Sequence, residues 1–145
     1  MRVPRKQVSH ALFTLLKNSY AWNTADPRLQ VPDDVTAMAQ PAMFLVKPQE
    51  HLSQQETFML PVYKLSYHIL ISLRADGSPE DISAEDQMDD ILDAVESALM
   101  PHPGEYQTLG GLVTHCWIDG TISIDTPVLF QQCAIWIPIT VVVGV

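Results

Sequence analysis

The 145 residues, 47% of them apolar, suffice for one domain with a real buried core. Two cysteines, Cys116 and Cys133, are too few for a disulfide scaffold, which points to a reducing compartment. The formal charge of −9 disfavours a protein that grips a phosphate backbone.

That charge is divided unevenly. The first 74 residues hold all eight Lys and Arg and five acidic side chains, whereas residues 75–145 hold twelve acidic side chains and no Lys or Arg. Self-association could bring the unlike halves together. The run "ALFTLL" behind Arg2, Arg5 and Lys6 is too short for a secretory signal. The terminal "CAIWIPITVVVGV" falls well short of the roughly 20 residues that span a bilayer as a helix. The expectation is a soluble, cytoplasmic protein without a membrane segment.

Residues 4–19 predict a basic amphipathic helix: Val8, Ala11, Leu12, Leu15 and Leu16 recur at helical spacing, and Pro4 suits a first turn. The segment 21–41, with prolines at 27, 32 and 41, reads as loop. "AMFLV" (42–46) predicts a short buried strand ended by Pro48. "YKLSYHILISLRA" (63–75) alternates, with Tyr63, Leu65, Tyr67, Ile69, Ile71 and Leu73 on one face. After the turn "ADGSPED", residues 84–100 predict an acidic helix. Ser83 is its N-cap and Asp86 stands three residues on. Met88, Ile91, Leu92, Val95 and Leu99 form its apolar stripe, opposite Asp86, Asp89, Asp90, Asp93 and Glu96. "PHPG" ends it.

The remainder, 112–143, reads as a hairpin and a last strand. Asp119-Gly120 between alternating runs is a strong signal for a two-residue turn. That register sets Trp117 opposite Ile122 and Cys116 opposite Ser123. It places His115, Trp117, Ile122 and Ile124 on the more apolar face, with Cys116 on the other. Pro138 within the strand 133–143 implies an edge position or a bulge. Together these elements predict a single α+β domain over residues 1–145. Its sheet is mixed but largely antiparallel, of four to five strands, with two amphipathic helices on one face.

Motifs of chemistry are few. In "HCWIDG" (115–120) adjacent strand residues point in opposite directions, so His115 and Cys116 do not form a dyad. "DDILD" (89–93) matches a pattern that holds magnesium and diphosphate, and Asp89 and Asp93 could share a cation. That chemistry needs a large all-helical cavity, so a small metal- or diphosphate-binding enzyme is the alternative reading and a solvated face the main one. The five histidines lack zinc-site spacing, and no nucleophile elbow or phosphate-binding loop is present. No catalytic, cofactor-binding or metal-binding residue is assigned.

Several segments carry a resemblance: "QPAMFLVKPQEH" (40–51), "YKLSYHILISLRA", "MDDILDAVESALMPHPGEYQTLGGLVTHCWIDGTISID" (88–125) and "CAIWIPITVVV" (133–143). Together they resemble tail terminator (tail completion) proteins of long-tailed bacteriophages over about residues 8–143, most specifically from the end of the acidic helix through Ile122. The linker "TPVLFQQ" (126–132) departs from the Gly- and Asp-rich loop expected there.

The resemblance implies a non-enzymatic virion protein of the tail and neck, assembled in the bacterial cytoplasm. It implies a homo-oligomeric ring, a hexamer, that caps the tail tube protein, stops its polymerisation and offers a surface to the head-tail connector. DNA would pass through without specific binding. A different neck adaptor is a further alternative. Within this picture the candidate interface or lumen residues are Asp86, Asp89, Asp90 and Asp93, with Arg2, Arg5 and Lys6 as the unlike patch.

Overall fold

The computed structural model describes residues 3–22, 24–26, 41–53, 62–74, 83–100, 105–125 and 132–143. The elements run α1 (Arg5–Lys17), β1 (Thr24–Asp26), β2 (Ala42–Ser53), β3 (Val62–Arg74), α2 (Ser83–Leu99), β4 (His115–Ile118), β5 (Ser123–Asp125) and β6 (Gln132–Val143). The strands form one mixed sheet, mostly antiparallel, in the order β1-β2-β3-β6-β4, with β5 also on β6. The turn at 75–81, the segment "PHPG" and most of the 126–132 linker lie outside the described residues, as does the Ser83 side chain.

The alternation read in β3 is what positions the core. Tyr63, Leu65, Tyr67, Ile69, Ile71 and Leu73 are all buried in one cluster with Ile135, Ile137, Ile139 and Val141 of β6. Val8, Leu12 and Leu16 of α1 and Met88, Ile91, Val95 and Leu99 of α2 join the same cluster. Both helices therefore cover one face of the sheet. The other face carries a smaller apolar cluster, Ala42, Phe44 and Leu70, with Ala134 and Trp136 against it.

Helix α1 begins after Pro4, whose carbonyl accepts from the Gln7 and Val8 amides. Its end is closed by side chains: Ser19 Oγ and Trp22 Nε1 donate to the Leu16 carbonyl at 2.6 and 2.9 Å. They add to the Ser19 amide, which donates to the same carbonyl at 3.1 Å just past the end of the helix.

Four expectations need correction. The 21–41 segment is not all loop, because Thr24–Asp26 pairs in parallel with Ala42–Phe44. Pro48 does not end β2: Val46 pairs with His68 and Gln49 with Ser66, so Lys47 and Pro48 together oppose Tyr67 in a bulge. A bulge removes the ladder bond that proline cannot make.

The predicted hairpin does not form, since β4 and β5 both pair with β6 rather than with each other. They are two halves of one interrupted strand. Finally, Pro138 lies in an interior strand. Its carbonyl accepts from the Asp119 amide at 3.0 Å, so its nitrogen also faces the β4–β5 side. The break between β4 and β5 is where that nitrogen would otherwise owe a hydrogen bond. Gly120, at φ 120°, makes the corner close to the Pro138 ring.

An ion triad ties α1 to β2. Arg5 Nε donates to both Glu50 oxygens at 2.8 and 3.0 Å, and Lys47 Nζ reaches Glu50 Oε1 at 2.7 Å. The Lys47 hydrogen bond, followed by that of Arg5, holds the Glu50 carboxyl below its usual range against an opposing effect of burial. A depressed carboxylate pKa stabilises the folded chain above the unfolded-state value, and that stability disappears as pH falls through the folded value. Glu50→Gln is therefore expected to lower the urea midpoint slightly at pH 7. The difference from the parent protein should vanish on acidification below the usual carboxylate range, and 0.5 M salt should narrow it at pH 7.

Candidate functional site

The acidic residues singled out in the sequence do share one surface. Asp86, Asp89, Asp90, Asp93 and Glu96 are all exposed on α2, opposite the buried Met88, Ile91, Val95 and Leu99. The basic residues fare differently. Arg2 lies outside the described residues, Lys6 is exposed, and Arg5 is engaged by Glu50 and lies 4.3 Å over the Tyr63 ring. Among the described residues, no three His, Cys, Asp or Glu side chains come together in a way that could hold a metal. No helix among them is long and apolar enough to cross a membrane.

Residues 105–114 lead into β4 in a defined shape. Gln107 Nε2 donates to the Ala98 carbonyl at 2.9 Å, and its Oε1 accepts from the Leu109 amide at 3.1 Å. One amide side chain thus closes the end of α2 and starts the turn. Leu109, Gly110 and Gly111 follow with φ of 51°, 73° and 92°. Glycine takes such values freely, whereas Leu109 is held there with its side chain buried. The chain re-enters the sheet where the Thr114 amide donates to the Val142 carbonyl.

This route delivers Tyr106 against β4. Tyr106, His115 and Trp117 make a three-ring stack, with centroids 4.6 and 4.7 Å apart and the His115–Trp117 pair nearly parallel at 17°. His115 and Cys116 do point in opposite directions, but the faces are exchanged relative to expectation. Cys116 is fully buried opposite Val141 in the core, and His115 and Trp117 are the half-buried pair. The error came from the assumed hairpin: pairing with β6 makes Val141 set the inward face.

Along this edge runs a groove of about 490 Å³, lined by Glu96, Leu99, Met100, Tyr106, His115, Trp117 and neighbouring residues. Met100 and Tyr106 are 56% and 69% exposed, high for side chains of their size and polarity. Glu96 and Glu105 also line it. Among the described residues His115 Nδ1 is buried without a hydrogen-bond partner. Apolar walls, stacked rings and two carboxylates suit an apolar or cationic side chain rather than an anion. The signal missed in the sequence was Met100 and Tyr106, two apolar residues off the helix stripe. A second, more polar depression on the helix-free face is lined by Lys64, Ser66, His68, Asp119 and Thr140, with Thr140 Oγ1 donating to Asp119 Oδ2 at 2.9 Å.

Neither cysteine serves the groove. Burial pushes the Cys116 thiol up to about 12. Cys133 is eight residues along β6 from Val141, about 26 Å at the rise of a strand, so the two thiols are not neighbours. A thiol held protonated in the core is a poor nucleophile. In a Cys133→Ser background, iodoacetamide at pH 8 is expected to leave Cys116 unlabelled in the native protein and to label it fully in 6 M guanidinium, as read by intact mass.

Fold and site together define a class: a single α+β domain with a covered core face, a strongly acidic helix and an aromatic groove at one sheet edge. Comparison with protein-family models and with curated proteins finds no match for the chain.

Proposed function

We propose that the chain is a non-enzymatic structural subunit of a long-tailed bacteriophage. It closes into a ring on the tail tube, terminates its polymerisation and presents a surface for head-tail joining. The observation that carries the proposal is the run from the end of α2 through β4 to Ile122. In the sequence it is the most specific part of the resemblance to tail terminators. In the fold its described part, residues 105–122, is latched to α2 by Gln107 and turned by Leu109-Gly110-Gly111. The uneven charge supports the same reading, because a ring is closed by heterologous contacts between two different patches of one surface.

In this role the exposed Asp86, Asp89, Asp90 and Asp93 act at a subunit contact or toward the lumen, where negative charge lets DNA slide without sticking. The partners are further copies of the chain, the tube protein and the connector, and the site of action is the virion neck. Negative-stain imaging of the protein with its own tail tubes is expected to show a cap at one end and arrested growth. Unrestrained tube growth would sink the proposal. A thermal shift with Mg²⁺ and diphosphate would favour the "DDILD" enzyme instead.

A further inference from the structure

We infer that the groove beside β4 receives the exposed basic face of α1 from a second copy of the chain. The inference deepens the ring reading and rests on it in one respect, that copies associate.

The two surfaces match in kind. Val8, Leu12 and Leu16 turn one side of α1 into the core. At about 100° per residue, Lys6, His10 and Lys17 fall on the opposite side. All three are exposed, and they extend about 16 Å along the helix. The half-buried Phe13 flanks the row. On α2 the exposed Asp86, Asp89, Asp93 and Glu96 form a row of about 15 Å that runs directly into the groove at Met100. Glu96 belongs to both.

A basic helix laid along this row would set lysines against carboxylates and bring its end over Met100, Tyr106 and Trp117. There a lysine gains both a carboxylate and an aromatic face. A second copy is the favoured occupant because the chain divides its own charge in this way, with no Lys or Arg after Arg74 to satisfy the groove's side locally. Groove and helix are different patches of one surface, so repeated head-to-tail they generate a ring where the rotation closes.

The test uses two double variants, Lys6→Glu/Lys17→Glu and Glu96→Lys/Glu105→Lys, with assembly read by native mass spectrometry and sedimentation, alone and on tail tubes. All four positions are exposed, and far-UV circular dichroism with thermal melting confirms that each variant is folded. Each variant alone is expected to associate at least about tenfold more weakly than the parent. In the first, groove and helix are both acidic; in the second, the two carboxylates of the groove become lysines that face a basic helix end. Mixed one to one, the two are expected to recover assembly, because each groove then meets a helix of opposite sign. Tyr106→Ala should weaken assembly even in 0.5 M salt.

Variants that assemble like the parent overturn the inference while leaving the ring intact, and so does a mixture that fails to recover. Loss of tube binding with self-association unchanged gives the groove to the tube protein and overturns it too. A parent chain that never associates, even on tubes, removes the ring reading itself.

Discussion

Replacing Tyr67 with alanine is expected to destabilise the protein by about 3–5 kcal/mol, the range for deleting a buried aromatic ring. Tyr67 is 1% exposed and is among the largest fully buried side chains of the core. It sits in β3 directly opposite the Lys47-Pro48 bulge, so the sheet devotes two residues of β2 to one position here. Its hydroxyl meets Ser9 Oγ of α1 at 2.7 Å, which pins the helix to the sheet as well as filling the space beneath it. Tyr67→Phe separates the two contributions. It keeps the ring and removes one hydrogen bond to a half-buried serine that water can reach, so about 1 kcal/mol is expected. Urea unfolding should show a large drop in midpoint for alanine, a small one for phenylalanine, and the same slope for both. A cost below about 1 kcal/mol for the alanine variant would mean that Tyr67 does not hold helix and sheet together.

What could be read from the sequence depended on how far each signal reaches. The helices and β3 were legible because one amphipathic period, repeated over 13 to 17 residues, leaves a single face for the core. Register was not legible, because it depends on strands distant in the chain. Asp119-Gly120 has the local chemistry of a hairpin turn, yet Ser123–Asp125 has a better partner in Ala134–Trp136, on a strand already anchored along its length by β3. The error propagated to the site. With the hairpin assumed, the face of His115 and Trp117 looked like core; with β6 as the partner, Cys116 takes the core and the two rings become the groove. The acidic row was legible since it needs only helical spacing. The groove was not, because Tyr106 reaches His115 through a left-handed turn at Leu109 that composition does not predict.

The same register makes one backbone substitution decisive. Placing a second proline one residue earlier in β6, as Ile137→Pro, is expected to cost on the order of 4 kcal/mol or more. The carbonyls of Pro138 and Val142 accept from Asp119 and Thr114, so these alternate residues turn their backbone groups toward β4 and β5. Ile137 has the opposite parity, and its amide faces Ile69 of β3. Proline there deletes a ladder bond between the two central strands, and the fully buried Ile137 side chain is lost with it. Against a total stability of roughly 5–15 kcal/mol, that is enough to leave much of the protein unfolded at 37 °C. Pro138→Thr is the matched control. Its new amide opens onto the gap at Asp119 and Gly120, both exposed, so a change within about 1 kcal/mol is expected. Urea midpoints and amide exchange of β3 would report both variants. An Ile137→Pro protein as stable as the Pro138→Thr one would show that the break between β4 and β5 has nothing to do with the proline it faces.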